Sequence, residues 1–184
     1  MLVFNEEEHK YLLDGKELIS VTTLMKKHGL SPDYSTVAPA VLRRKAMRGT
    51  LIHKELEDWL LSGENGFTKE LYAFVELAKE LEIKNATPEQ KVHNDIVAGT
   101  VDLQADYKGG TLLADFKTTA SVHTEAVKWQ MSIYQELIGK KFNTLAVIHL
   151  NGHNAEFIPI EPIKEELVKK LFEAERNGKI FKGE

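Results

Sequence analysis

The chain has 184 residues, none of them cysteine, with 42% hydrophobic and 28% charged. That length can bury a real core within a single domain spanning 1–184, and the missing thiols exclude disulfides, zinc–thiolate sites and cysteine-ligated iron–sulfur clusters. With 24 basic against 28 acidic residues the net charge is −4, so no global basic field draws in a polyanion, and any such partner must be met by a local patch.

The opening MLVFNEEEHK is acidic where a secretory signal would be basic and then apolar. No apolar run reaches the length of a membrane span, so a cytoplasmic protein without a membrane partner is expected. Apolar runs at 9–13 and 17–21 flank Asp14-Gly15, a strong hairpin signal. Helical spacing follows over 36–48 and 50–61, with a break expected near Gly49 and a stop at Gly63. It returns over 68–82, where Leu71, Phe74, Val75, Ala78 and Leu81 share a face. Strand character then takes over at 89–94, 97–107 and 111–118, the last two joined across Gly109-Gly110. A helix is expected over 123–139, strands at 143–150 and 154–160 around Asn151-Gly152, and a closing helix at 163–177 between Pro162 and Gly178. Helices, a strand meander, a crossover helix, more strands and a last helix make an α/β (α+β) arrangement with a mixed sheet.

The stretch AGTVDLQADYKGGTLLADFKTT, 98–119, places Asp102, Asp115 and Lys117 on strands that otherwise look half-buried. Charges pointing into a core are costly unless paired or bound to a metal. A two-residue turn at Gly109-Gly110 would set Asp102 opposite Lys117 and Gln104 opposite Asp115. Asp115 and Lys117, two apart, share a face with Asp102 in that register, whereas a three-residue loop would turn Asp102 to the other side. Two carboxylates held this close repel, and a divalent cation relieves the repulsion. Hard oxygen ligands suit Mg²⁺ or Mn²⁺, and a neighbouring ammonium suits the charge that grows on a phosphate. A surface Asp–Lys ion pair is the plainer alternative.

Two further pairs lie at helical spacing. Gln130 and Tyr134 stack four apart within 123–139, and RGTLIHKELE at 48–57 sets His53 and Glu57 four apart near a helix start. Each taken singly is an ordinary core or surface pair.

Together these residues resemble the PD-(D/E)XK nuclease superfamily, and within it the phage- and RecB-type exonuclease branch that includes lambda exonuclease. The resemblance rests on Gly99-Thr-Val-Asp102, Asp115-Phe-Lys117, Gln130-x-x-x-Tyr134 and the upstream Arg48-Gly49-Thr50-x-x-His53, in order and covering nearly the whole chain. The hairpin ending in Ser20-Val21-Thr22 is also similar to phage members. The resemblance implies a restriction-endonuclease-like αβββαβ core, with a mixed central sheet flanked by helices and an N-terminal β-hairpin, and metal-dependent hydrolysis of DNA phosphodiesters. Asp102, Asp115, His53 and the Phe116 backbone carbonyl would be the ligands of Mg²⁺ or Mn²⁺. Lys117 would serve the attacking water or the transition state, and Gln130 and Tyr134 would orient the lysine, the metal shell or the DNA backbone. Glu89 and Glu57 are candidate additional acids. Asp115 stands where Glu is common, and its shorter side chain would shift the metal slightly.

Arg43, Arg44, Lys45, Arg48 and Lys54 place five positive charges beside His53 with no acid between 43 and 54. A solvated helix face is the ordinary reading of such a run; next to a metal site it suits a rim contacting DNA phosphates. No element reads as base-recognising, and Trp59 and Trp129 read as core aromatics rather than base-stacking ones. The leading expectation is a phage or prophage exodeoxyribonuclease in the bacterial host cytoplasm, cutting by in-line attack of water and leaving 5′-phosphates. A single-strand annealing protein is a partner implied by the resemblance, and a ring-shaped homo-oligomer would imply processivity. A catalytically silent DNA-binding or adaptor module on the same fold is the rival reading, and a small-molecule phosphate-ester metalloenzyme is a third.

Overall fold

A computed structural model describes residues 1–5, 8 and 10–183; His9, the first residue of the expected 9–13 run, lies outside them. The chain runs β1 (Leu2–Asn5), β2 (Lys10–Leu13), β3 (Lys16–Ser20), α1 (Val21–Lys27), α2 (Pro39–Ser62), α3 (Lys69–Glu80), β4 (Lys84–His93), β5 (Val97–Tyr107), β6 (Gly110–Lys117), α4 (Thr124–Ile138), β7 (Thr144–Asn151), β8 (Asn154–Ile160) and α5 (Glu165–Arg176). The eight strands form one mixed sheet, in which β3–β5 and β6–β7 pair parallel and the other neighbours antiparallel. Among the described residues no helix is long and apolar enough to cross a membrane.

Helices cover both faces of the sheet. On one side Ile52 and Leu56 of α2 and Leu71, Phe74 and Ala78 of α3 pack onto Leu103, Leu112, Ala114, Phe116, Ala146 and Ile148. On the other, α1, α4 and α5 bring Leu24, Met131, Tyr134 and Leu171 onto Val97, Val101, Leu113 and Val147. Local chemistry sets the helix limits. The Ser20 and Thr68 hydroxyls accept from the backbone of Thr23 and Leu71 to start α1 and α3, and left-handed Gly63 and Gly139 end α2 and α4.

Several expected boundaries shift. The 36–48 and 50–61 helices are one helix, α2, running through Gly49. A lone helical glycine costs only about 1 kcal/mol, too little to break a helix anchored by fully buried Ile52 and Leu56. A side chain at Gly49 would come within 3.4 Å of Thr118 Oγ1, so glycine brings the helix close to the loop after β6. Val21 belongs to α1 rather than to the preceding strand, and β4 begins five residues before the expected 89. The β7–β8 turn is Gly152-His153, closed by Asn151 pairing with Asn154, and α5 starts at Glu165, past Pro162.

The hairpin register also differs. Tyr107 pairs with Gly110, and the turn residues are Lys108 and Gly109, both left-handed at φ 48° and 77°. It is still a two-residue turn, so Asp102 keeps the side it shares with Asp115. Each residue of β6, however, faces a partner two positions earlier on β5 than expected. Continuing the ladder one step past Leu103–Ala114 sets Asp102 opposite Asp115, not Lys117.

Candidate active site

Asp102 stands where the sheet opens. Ala98 pairs with Ser20 of β3 on one edge of β5 and with His93 of β4 on the other. β6 takes the Ser20 edge farther along, from Leu103 to Tyr107. Between these two partners, at 99–102, no strand of the described chain pairs with that edge. The Phe116 N–H, which a regular ladder would aim at a backbone carbonyl, donates instead to Asp102 Oδ2 at 2.8 Å. β5 also changes face here. A regular strand would send Val101 and Leu103 to the same side, yet Val101 joins the α4-side core and Leu103 the α2-side core. Asp102 can therefore be reached from both layers of helices.

On β4 the pairs Pro88–Leu103 and Gln90–Val101 bracket Glu89 across from Asp102. Glu89 is left-handed at φ 50° in mid-strand, a conformation a non-glycine residue holds only when its surroundings enforce it. Glu89, Asp102 and Asp115 thus form a row of carboxylates across three strands. His53 descends onto this row from α2, its Nδ1 3.7 Å from Asp102 Oδ1 and its ring edge-on to Phe116 at 6.0 Å. His53, Glu89 and Asp102 each offer a ligand atom, all within 4.8 Å of one another. They line an open cavity of about 360 Å³ with Gly49, Lys54 and Glu57. Burial, then the Asp102 charge, pushes the Glu89 carboxyl up to about 7. Burial and the neighbouring Asp115 likewise raise Asp102, against the pull of His53 and Lys117.

The α4 side supplies a different set. Lys117 Nζ lies 2.7 Å from Asp115 Oδ2, a charge contact without hydrogen-bond alignment, since that buried oxygen has no hydrogen-bond partner. The same ammonium donates to Gln130 Oε1 at 2.9 Å, and Gln130 Nε2 reaches the Tyr134 hydroxyl at 3.5 Å. Burial alone would lower the Lys117 ammonium, but Asp115 and Asp102 outweigh it and hold it above its ordinary value. Burial and the Asp102 charge raise the Tyr134 phenol well above its usual range. Gly99 makes room for this arrangement: a Cβ there would sit 2.7 Å from Tyr134 Cε1 and 2.9 Å from Val21 Cγ2.

The predicted residues therefore divide. His53, Glu89 and Asp102 converge, and Lys117, Gln130 and Tyr134 form one chain that Asp115 joins through charge. Phe116 contributes its N–H to Asp102. Glu57 lines the cavity but pairs with Lys54, not His53. In the basic run, Lys54 is held by Glu57 and Asp58, and Arg48 donates to Glu70, a carboxylate 3% exposed that also accepts from Gly152 N at 3.0 Å. Arg43, Arg44 and Lys45 are exposed with no ion pair, among the described residues, on the half of α2 that stands clear of the core. Trp59 and Trp129 pack edge-on against Phe74 and Phe181. A larger groove of about 800 Å³ between α4, β8 and α5 contains none of these groups.

No protein-family model matches the sequence, and a search of curated proteins finds no match. Solved structures do match the fold. The crystal structure of SSO0001 aligns with 91% of this chain and 79% of its own, at TM-score 0.53 and 18% identity. That of an alkaline exonuclease (LHK-Exo) from Laribacter hongkongensis aligns with 88% of this chain and 87% of its own, at TM-score 0.51 and 10% identity. A phage related exonuclease from Haemophilus somnus 129PT covers 87% of this chain and 92% of its own at TM-score 0.39 and 12% identity. The mixed α/β fold of this chain is thus one that a structurally characterised exonuclease also adopts; at such identities the likeness is one of fold.

Proposed function

We propose that this protein is a divalent-metal-dependent DNA nuclease, an exodeoxyribonuclease of phage or prophage type that leaves 5′-phosphates during recombination or end processing. The observation that carries this reading is the convergence of His53, Glu89 and Asp102 within 4.8 Å, beside the Lys117 ammonium. The donor set fits the ion: one imidazole and two carboxylates, with Asp115 and the Phe116 carbonyl proposed to complete it, suit Mn²⁺ or Mg²⁺. The crowded acids fit too, because carboxyls raised by burial and mutual repulsion relax when a cation arrives. When bound, the ion supplies Lewis-acid polarisation of a phosphoryl oxygen and a more acidic water.

The chain's own groups do the rest. Lys117, raised above its usual pKa, stays charged at neutral pH and presents fixed positive charge to a phosphate rather than acting as a base. Gln130 fixes the Nζ position, and Tyr134 fixes Gln130. Glu89, near 7, can hold or release a proton at neutrality. Arg43, Arg44 and Lys45 form the proposed phosphate-contacting rim, while Arg48 and Lys54 are engaged within the protein.

Linear duplex and single-stranded DNA incubated with Mn²⁺ test the reading. Wild type should degrade them, EDTA should abolish degradation, and Lys117→Ala should slow it by about 100-fold or more. Equal rates for wild type and Lys117→Ala would remove the site assignment, and tight DNA binding without cleavage under any divalent ion would point to the adaptor reading.

A further inference from the structure

Lys117 borders a second cavity, of about 230 Å³, on the flank away from His53. Its walls are apolar, formed by Met25, Pro32 and Val127, and two rings, Tyr34 and His123, also line it. The rings stand edge to face at 6.1 Å, and Tyr34 is 44% exposed. The chain here brings Tyr34 from the loop between α1 and α2 and His123 from the residue before α4. We propose that this cavity receives one unpaired nucleobase adjoining the scissile phosphate, stacked by its face on the exposed Tyr34 ring with His123 beside it; the assignment rests on the nuclease reading above.

Three observations select a base. The space suits one flat ring system, not a duplex or a peptide strand. Its wall shares Lys117 and Gln130 with the proposed phosphate site, so one nucleotide can reach both, its sugar the only spacer. Several of its polar groups are already engaged: Thr119 Oγ1 donates to Ser121 O at 2.8 Å, Thr22 Oγ1 meets Ser20 Oγ at 3.1 Å, and Gln130 is taken by Lys117 and Tyr134. Few groups remain to read base edges, while apolar and aromatic surface is plentiful. Such a slot recognises any base by stacking and favours substrate whose end is single-stranded or frayed, because a paired base would first have to leave its helix.

Two measurements test the pocket. In EDTA, a single-stranded oligonucleotide with terminal 2-aminopurine should lose fluorescence on binding wild type, and should keep most of it with Tyr34→Ala. In Mn²⁺, wild type should cut an oligonucleotide with an abasic terminal residue about 10-fold more slowly than the intact one, the middle of the range that stacking on one aromatic ring provides. Tyr34→Ala should cut both at the slow rate, and Tyr34→Phe should restore the difference. Equal wild-type rates on intact and abasic substrates would overturn the pocket and leave the nuclease reading standing. Quenching that depends on Tyr34, with no cleavage in any metal, would support the pocket and remove the nuclease reading.

Discussion

His53 and Lys117 approach Asp102 from opposite sides of the sheet and under different constraints. On the α4 side, Lys117, Gln130 and Tyr134 are joined by hydrogen bonds, and Gly99 is shaped to the Tyr134 ring. On the α2 side, His53 lines an open cavity, and its helical neighbours Lys54 and Glu57 are tied to each other. One flank is fixed by packing and the other is accessible. That division suits a site that must hold a charge in place on one side and admit an ion on the other.

The largest test of the comparison strikes the residue both sides share. Asp102→Asn removes the central carboxylate and should lower DNA cleavage by about 1,000-fold or more, and it should abolish the rise in melting temperature that Mn²⁺ gives wild type. Unchanged Mn²⁺ stabilisation would place the ion elsewhere. Next, the flanks can be separated. His53→Ala should weaken Mn²⁺ affinity by about 10- to 100-fold in calorimetry, whereas Gln130→Ala should leave that affinity intact and lower kcat. If both variants changed only one of these quantities, the division of labour would fail.

A third test addresses packing alone. Gly99→Ala must displace both Tyr134 and Val21 and should cost about 1–3 kcal/mol in denaturant unfolding, where an equivalent change on the open side would cost little. The smallest effect is electrostatic. Below about pH 4.5 Glu89 is protonated in both folded and unfolded chains and contributes nothing. As pH rises toward 7 the unfolded chain ionises first, so the folded state is progressively penalised, and the penalty is complete above 7. Without metal, Glu89→Gln should therefore stabilise the protein at pH 8 by about 1 kcal/mol, the partly buried position still being screened by water, and should leave it unchanged at pH 4. Stabilisation appearing at pH 4 would reverse the assigned sign.

Much of this was legible because period and turn chemistry are local. β5, the Asp14-Gly15 hairpin and the Gly139 stop of α4 follow from alternation and from residues that tolerate left-handed φ. The four-residue spacing of Gln130 and Tyr134 gave the hydrogen-bonded pair directly. What escaped is non-local. Nothing near Arg48 announces Glu70, 22 residues on, as its partner, so the basic run by itself overstates the unpaired positive charge. The change of face at Asp102 lies opposite Glu89 on β4, whose left-handed backbone is not one that glutamate's own preference announces. The slide of the turn to Lys108-Gly109 turned on which of two adjacent glycines closes it, a choice made by pairing along the whole hairpin.

The Arg48–Glu70–Gly152 junction also governs posture. It sits where the overhanging front of α2 meets the anchored rear, and it moors that rod to α3 and to the β7–β8 turn at once. From Pro39 to Arg48 the helix rises over nine steps of about 1.5 Å, some 14 Å in all. Arg43, five residues and about 7.5 Å along the axis from Arg48, therefore takes its bearing from a single buried carboxylate.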